Sequence, residues 1–393
     1  MEPCPRLICC TCLNPRISDN SKSGEQRYVQ AQQIETPFSL GVPCRQPVLF
    51  CARPAYGFSG DIISSPVGIF LATALILLLI GTMFAAVHHA EVIARRTGEP
   101  DGTLVLTVAV TVIEVALIAS IMVGGESGPA LARDTVFSVI MIVGNELVGL
   151  CILLGGMRYR EQGFRVTGVS AYLVILIVLA TLTLVLPNDT QARFGPFYSP
   201  SQLVFVTLIT LALYGVFLYI QTVRDRDYLL VLDTEGRNVS SDLPQNRAVI
   251  VSAALLALSL SAVILLSKMF AAVVEAGTTL VGAPEAVVVA LLVLLPESVA
   301  AVRAARANQR QKSLNLALGS PLATISLTIP AVAAVNLTLQ RALVLGLDGE
   351  DTVLLMLTAV ASLLTFGTGR TNILYSFVHL VIFATFLFLV FVP

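Results

Sequence analysis

Residues 104–123 read LVLTVAVTVIEVALIASIMV, a stretch of twenty residues in which Glu114 is the single charged side chain. An α-helix rises about 1.5 Å per residue, so a stretch of this length crosses the roughly 30 Å of hydrocarbon in a bilayer. Nine other blocks have a similar length and polarity. The sequence therefore predicts an all-α polytopic membrane protein with ten transmembrane helices, at 67–87, 104–123, 135–155, 169–186, 202–220, 247–267, 286–302, 314–335, 352–368 and 373–391.

The composition agrees with this fold class. The 393 residues are 56% hydrophobic and only 12% charged, and the mean hydropathy is +0.84. A soluble globular protein carries about 25% charged residues, so a soluble enzyme, a disordered chain and a coiled coil are excluded. A β-barrel is disfavoured because its strands would show alternating polarity over about ten residues. The net charge of -1 indicates no nucleic-acid partner.

Polarity divides the chain into four parts. Residues 1–60 form a polar, Cys-rich N-terminal tail, 61–220 a first transmembrane half, 221–246 a polar loop, and 247–393 a second transmembrane half. The tail contains the run Cys9-Cys10-Thr11-Cys12, which lacks paired CxxC spacing and has no nearby His. We therefore interpret the tail as unstructured and not as a zinc site.

The distribution of Lys and Arg predicts the orientation in the membrane. These residues concentrate on one side, which we assign to the cytoplasm, in 88–103, 156–168, 221–246, 303–313 and 369–372. This assignment puts the tail outside, although the tail carries six basic residues. Either the tail is translocated despite its charge, or the natural protein has one more helix before residue 67.

Three acidic residues, Glu114, Glu146 and Glu297, lie inside apolar blocks. An ionised side chain in the bilayer costs at least about 2.5–3.5 kcal/mol on insertion scales, so each needs a physical reason. Glu114 has no basic residue within a helical turn or two. It is therefore protonated, bound to a cation, or paired with another helix. The structural alternative to a role in transport is a permanently protonated carboxyl group that forms a hydrogen bond with a neighbouring helix.

Glu297 directly follows Pro296. Proline lacks a backbone N–H and clashes with the carbonyl four residues earlier, so we expect a broken helix with free carbonyl oxygens beside a carboxylate. Hard cations such as Ca2+ and Na+ bind oxygen ligands of this kind. The alternative is a simple proline kink, with Glu297 near the membrane edge before Arg303 and Arg306.

The acidic residues belong to two similar units. In the first, Glu114 is followed on the next helix by Gly144-Asn145; in the second, Glu297 is followed by Gly319-Ser320. Five blocks separate the two first helices, so the chain direction reverses and the repeats are inverted, with both carboxylates meeting near the midplane. We predict a cation site formed by Glu114, Glu297, Asn145 and Ser320, although each of the last two also fits ordinary packing.

A proton relay is a further hypothesis. His89 and Glu91 lie at the predicted cytoplasmic end of the first helix, and we expect Glu146 to face a cavity without binding the transported ion. A solvated helix end explains His89 and Glu91 better than a relay does. His379, inside the last block, fits a helix-packing histidine better than a transport role.

The sequence resembles the ChaA-type cation/proton antiporters of the Ca2+/cation antiporter superfamily over roughly 67–393. The matching stretches occur in the family's order and are His89-Ala90-Glu91, Gly98-Glu99-Pro100, Ile113-Glu114-Val115, Arg133-Asp134-Thr135, Met141-Ile142, Val148-Gly149, Leu154-Gly155-Gly156, Tyr214-Gly215-Val216-Phe217, Ser267-Lys268-Met269, Pro296-Glu297, Ala323-Thr324-Ile325-Ser326-Leu327-Thr328 and Thr368-Gly369-Arg370-Thr371-Asn372.

The resemblance implies that Glu114 and Glu297 are the central acidic residues of the two repeats. It also implies a multi-pass protein of the cell (inner) membrane that exports Ca2+, Na+ or K+ against entering H+ and needs no cofactor. The family usually has eleven helices, so we hypothesise that 1–60 is a divergent or misassigned start. The family's central loop is often more acidic than 221–246, and Glu146 has no clear counterpart.

Two function classes remain after the motif search. The first is a secondary antiporter that exchanges a cation for H+ by alternating access. We favour Ca2+ as the cation, with Na+ or K+ as alternatives, because two carboxylates suit a divalent ion. A cation channel is the alternative, since it also uses intramembrane Glu. No HExxH, GxSxG or GxxxxGK[ST] motif occurs, so neither an enzyme nor ATP-driven transport is expected. The partners are the transported ions and the lipid bilayer, and the oligomeric state is left open.

Overall fold

A computed structural model describes residues 65–97, 101–124, 129–159, 162–192, 195–224, 245–282, 284–339 and 343–392. These residues contain ten helical spans long and apolar enough to cross a membrane, which confirms the predicted fold class. The helices are α1 (Pro66–Thr97), α2 (Asp101–Gly124), α3 (Leu131–Met141), α4 (Val148–Tyr159), α5 (Val166–Ala180), α6 (Pro200–Tyr219), α7 (Asn246–Val281), α8 (Glu285–Arg306), α9 (Arg310–Ala323), α10 (Ile329–Leu339), α11 (Gly349–Phe366) and α12 (Ile373–Phe391).

Wider π-helical turns join or extend several of these helices. They lie at Ile142–Leu147, Thr181–Val185, Ile220–Arg224 and Thr324–Thr328, and a 3-10 turn follows at Leu186–Asp189. The first of them joins α3 to α4 and the last joins α9 to α10, so each pair forms one continuous span. The predictions for the tail 1–60, and for most of the loop 221–246, lie outside the described residues.

Helices α1 and α7 are longer than the hydropathy pattern predicts. They contain 32 and 36 residues, or about 48 and 54 Å at 1.5 Å per residue, which exceeds the roughly 30 Å of hydrocarbon. The segments 88–103 and 268–285, which we predicted as loops, are therefore mostly helical. Polar residues ended the predicted blocks, but outside the hydrocarbon they do not end a helix.

These two long helices pack against each other in antiparallel directions. Ala72 and Leu75 of α1 form a small apolar cluster with Val273, near the end of α7. At the opposite end, the Arg96 guanidinium donates to Asn246 Oδ1 over 2.9 Å. The C-terminal end of α1 and the N-terminal end of α7 therefore lie on the same side, as the distribution of basic residues predicts.

The span formed by α3, its π turn and α4 lies in the middle of the core. All of α3 except Asp134 is buried, and the π turn that follows is buried except for Glu146. This span packs against α8, α9 and α12. Helix α7, in contrast, exposes large apolar side chains over much of its length. A helix that is apolar all round and half exposed is expected where one face contacts lipid.

Helix α8 does not break at Pro296. It runs without interruption from Glu285 to Arg306, so the broken helix that we predicted here is wrong. A proline removes one hydrogen bond and kinks a helix, but its neighbours can hold the helix together in a membrane interior. The irregular backbone lies instead on the adjacent span, at Thr324–Thr328.

Two contacts outside the apolar interior join distant parts of the chain. At the N-terminal end of α3, the Arg133 guanidinium bonds to Asp134 Oδ1 at 2.6 Å and to the Gly346 carbonyl at 2.7 Å. Beyond the C-terminal end of α4, two short strands pair antiparallel, β1 (Gln162–Gly163) and β2 (Arg370–Thr371). These contacts fix both ends of the central span relative to the second half.

Helix α12 approaches α4 closely at Gly149. A Cβ atom at Gly149 would lie 3.1 Å from Leu380 Cγ and 3.2 Å from the Ser376 carbonyl oxygen. The Ser376 hydroxyl also donates to the Gly149 carbonyl at 2.7 Å. Glycine is therefore favoured at this position, because the Leu380 side chain and the Ser376 carbonyl of α12 leave little space for a Cβ atom.

Replacement of this glycine tests the close packing. We expect Gly149→Ala to lower the free energy of unfolding by about 1–3 kcal/mol, because a backbone carbonyl cannot move aside as a side chain can. The measurement is thermal unfolding of the full chain in detergent. Gly81→Ala is the control: nothing lies within 4 Å of its added Cβ, so the better helix propensity of Ala should be neutral or stabilising. Equal midpoints for both variants would contradict the close approach.

Candidate cation site

Glu114 is the most deeply buried acidic residue of the described chain. It lies at the middle of α2 and is 1% exposed. The Thr324 hydroxyl, from the π turn between α9 and α10, donates to Glu114 Oε2 over 3.0 Å. Glu114 Oε1 is buried and has no hydrogen-bond partner in the described residues. A carboxylate can accept several hydrogen bonds or bind a cation, so the Glu114 carboxyl group can still bind a further donor or an ion.

The same π turn brings further hydroxyl groups into the interior. Thr328, one helical turn after Thr324, lies beside the Glu114 carboxyl group. The buried hydroxyls of Thr328 and Ser326 have no hydrogen-bond partner among the described residues. Buried polar groups without partners are rare and call for an explanation, such as a bound ion or water. Thr324 and Thr328 were not among our predicted ligands.

Glu297 lies on the middle of α8. Its side chain is half-buried, and its Oε2 atom is buried without a hydrogen-bond partner in the described residues. The Ser320 side chain interacts with the Glu297 carboxyl group. The carboxyl groups of Glu114 and Glu297 are close enough for their charges to interact. The structure thus brings together three of the four predicted ligands, and Glu297 is not at a helix end.

Asn145 takes part in other contacts. Its Nδ2 donates to Thr358 Oγ1 at 2.9 Å and to the Met141 carbonyl at 3.2 Å, and its Oδ1 bonds to His379 Nδ1 at 3.2 Å. No hydrogen bond given by the described residues joins it to either carboxyl group. Its role as a cation ligand stays a prediction, and its amide is directed to α11 and α12 in this conformation.

The residues of the predicted proton relay are dispersed. Glu146 is half-buried within the π turn after α3. Glu91 forms an exposed ion pair with Arg95 on its own helix, at 3.6 Å. His89 Nδ1 is buried and has no hydrogen-bond partner among the described residues. No described hydrogen bond links these three residues to Glu114 or Glu297, so the relay stays a prediction.

The arrangement has the composition of a site for a small hard cation. Within the part of the chain that the structure describes, no three His, Cys, Asp or Glu residues cluster to hold a metal, and no ion pair involves Glu114 or Glu297. The available oxygen donors are the two carboxyl groups and the hydroxyl groups beside them. Oxygen donors of this kind suit Ca2+, Na+ or H+ better than soft metals.

Comparison with known proteins identifies the family. A family model described as sodium/calcium exchanger protein matches residues 67–223 and 251–392. The chain belongs to this family, and it is a multi-pass membrane transporter and not an enzyme.

Two relatives have substantial sequence identity. The proposed ionic transporter y4hA of Sinorhizobium fredii is 46% identical over 321 residues, which is 80% of this chain and 87% of that protein. The sodium-potassium/proton antiporter ChaA of Escherichia coli is 38% identical over 320 residues, 80% of this chain and 86% of that protein. The resemblance to ChaA-type antiporters is therefore confirmed.

Two solved structures share the fold. Native YfkE superposes with a TM-score of 0.64 at 16% identity, covering 82% of this chain and 92% of that one. The H+/Ca2+ exchanger CAX superposes with a TM-score of 0.61 at 15% identity, covering 81% and 82%. At these identities the likeness concerns the fold alone.

The bond from Thr324 to Glu114 can be tested by its effect on stability. We expect Thr324→Val, which keeps the shape, to lower the free energy of unfolding by about 1–3 kcal/mol, because it leaves a buried carboxyl oxygen without its donor. Ser326→Ala is the control from the same turn, since its hydroxyl has no described partner to lose. Thermal unfolding in detergent measures both. A loss for Ser326→Ala as large as that for Thr324→Val would contradict the assigned bond.

Proposed function

We propose that this chain is a secondary antiporter that exchanges a cytoplasmic cation for external protons at Glu114 and Glu297. The single observation that carries the proposal is the pair of neighbouring carboxyl groups in the apolar interior, each with a buried oxygen atom that lacks a described partner. A charge in such surroundings requires a counter-ion, and the two available counter-ions are a cation and a proton.

Competition for the same oxygen atoms couples the two ions. When protons occupy the carboxyl groups, their charge is lost and the cation loses its main ligands. When a cation binds, the protons have to leave, because two carboxylates and one divalent ion already balance. Alternating access to the two sides of the membrane then converts this competition into exchange, as in other inverted-repeat transporters.

Ca2+ is the cation that we favour, with Na+ and K+ as alternatives. Two carboxylates neutralise one divalent ion, and the hydroxyl oxygens of Ser320, Thr324 and Thr328 suit its preference for oxygen ligands. The names of the relatives support both possibilities, since ChaA is a sodium-potassium/proton antiporter and CAX an H+/Ca2+ exchanger. We place the protein in the cell (inner) membrane, with the ends of α1 and α7 that meet at Arg96 and Asn246 facing the cytoplasm.

Transport in everted membrane vesicles tests the proposal. With a pH gradient imposed, Ca2+, Na+ and K+ are added in turn, and the dissipation of the gradient is followed. We expect one of these cations, Ca2+ first, to dissipate the gradient with the wild type. Glu114→Gln and Glu297→Gln should each abolish the effect, because the neutral amide can neither release a proton nor balance the cation's charge.

The matched control is Glu275→Gln, which removes an exposed carboxyl group from α7 and should leave exchange unchanged. No response to any cation from correctly inserted wild type would overturn the proposal. A cation current without proton movement would instead identify the channel alternative. Retained exchange in either glutamine variant would exclude the shared carboxyl site.

A further inference from the structure

A chain of buried hydrogen bonds joins the π turn at Ile142–Leu147 to α11 and α12. The Thr365 hydroxyl on α11 bonds to His379 Nε2 at 3.0 Å, and His379 Nδ1 on α12 bonds to Asn145 Oδ1 at 3.2 Å. Asn145 Nδ2 continues to the Thr358 hydroxyl on α11, at 2.9 Å. His379 is 0% exposed and Asn145 is equally buried. The exchange chemistry described above uses none of these four side chains directly.

The donors and acceptors of this chain indicate which ring nitrogen of His379 carries a proton. Asn145 Nδ2 bonds to the Met141 carbonyl, which only accepts, so the amide oxygen of Asn145 faces His379. An amide oxygen also only accepts, so His379 Nδ1 carries the proton. His379 Nε2 is then free to accept from the Thr365 hydroxyl. A neutral imidazole with its proton on Nδ1 satisfies every bond, and the Gly144 carbonyl lies beside the same ring.

Two glycines allow the helices to come close enough for these bonds. A Cβ at Gly144 would lie 3.3 Å from Thr358 Cγ2 of α11. A Cβ at Gly149 would lie 3.1 Å from Leu380 Cγ of α12. Small residues at such positions allow helix backbones to approach within a membrane. The polar chain therefore lies where α11 and α12 approach the central span closely.

The central span connects these hydrogen bonds to the helix that carries Glu297. Asn145 lies in the π turn Ile142–Leu147, and this turn and the flanking α3 and α4 pack directly against α8. Helix α8 carries Glu297. A π turn has a strained hydrogen-bond pattern and frequently lies at a functional site, so its conformation depends on the side chains that hold it. Asn145 supports it from within, by its bond to the Met141 carbonyl at the start of the turn.

We propose that His379 is a positioning residue for cation binding, which holds Asn145 and thereby the central span that packs against α8, the helix that carries Glu297. The inference rests on the proposed function. It predicts that loss of the Nδ1–H donor weakens cation binding, while the protein still folds and inserts. Outer partners of this kind typically change metal affinity by about tenfold or more.

Three substitutions at one position separate positioning from simple packing. Asn places its Nδ2 where His379 Nδ1 lies, so His379→Asn keeps the donor to Asn145. Gln places its amide further out, toward Thr365, and Ala has no polar group. In the vesicle assay with the cation that the wild type exchanges, we expect the apparent KM to rise about tenfold in His379→Ala and His379→Gln and to stay near wild type in His379→Asn. Phe377→Ala, an exposed position on the same helix, should keep the wild-type KM.

A purely structural role would give a different result. It would lower the maximal rate in proportion to the amount of folded protein and leave KM unchanged in all three variants, which would overturn the proposal. An Asn variant no better than the Gln variant would also overturn it. In either of these outcomes the proposed function still holds, provided that the wild type exchanges normally and both glutamate variants are inactive. Absence of wild-type exchange would overturn the proposed function itself, and this inference with it.

The tautomer offers a second test, which requires neither transport nor a stable variant of His379. The chain has only three histidines, so 15N-histidine labelling of the purified full chain gives few signals, and His88→Ala and His89→Ala assign the other two. We expect His379 to be neutral with its proton on Nδ1, seen in the nitrogen shifts and the two-bond nitrogen–proton couplings. A proton on Nε2 instead would overturn the assigned direction of the hydrogen-bond chain.

Discussion

A carboxyl group buried in an apolar interior, with only one described donor, is the constraint on which the rest of the structure depends. An isolated carboxylate in such surroundings costs on the order of tens of kcal/mol by a simple solvation estimate. Glu114 has the Thr324 hydroxyl at 3.0 Å and a second carboxyl group nearby, which raises the cost further. Protons or a cation would remove this cost, and this requirement is the physical basis of the exchange that we propose.

The helices around this pair remain largely regular, and their irregular turns are placed where polar groups gather. The π turn at Thr324–Thr328 supplies hydroxyl groups to Glu114, and the π turn at Ile142–Leu147 holds Asn145. These turns occupy the two spans that follow the glutamate-bearing helices in the two repeats. Widened turns expose backbone groups, which is tolerated at membrane depth only where protein or a polar cavity surrounds them. The glycines at 144 and 149 complete the arrangement by admitting the neighbouring helices.

The hydropathy of the sequence was sufficient to predict the ten spans and the two central glutamates, because both follow from local composition and from the cost of charge in lipid. It was not sufficient for the lengths of α1 and α7, since the ends of these helices leave the hydrocarbon and lose the apolar signal. It also misplaced the irregular backbone at Pro296, where neighbouring helices preserve the helical path. A proline alone does not reveal what packs around it.

The direction of Asn145 could not be predicted for a related reason. Its partners Thr358 and His379 lie more than 200 positions away in the chain, and a Gly-Asn pair is compatible with either a cation or a neighbouring helix. The run Thr324-Ile325-Ser326-Leu327-Thr328 did carry a usable signal, since three hydroxyl groups alternate within an apolar block. Which of them faces Glu114 depends on the π turn, and helical periodicity does not reveal it.

The most direct test of the shared carboxyl site is the number of protons released when a cation binds to the purified protein in detergent. Calorimetry in buffers of different ionisation enthalpy gives this number together with the stoichiometry of binding. Binding of one cation per chain with release of protons, and loss of both in Glu114→Gln and in Glu297→Gln, is the expected result. Cation binding without proton release, or equal binding by the two glutamine variants, would contradict the conclusion that protons and cation compete for the same two carboxyl groups.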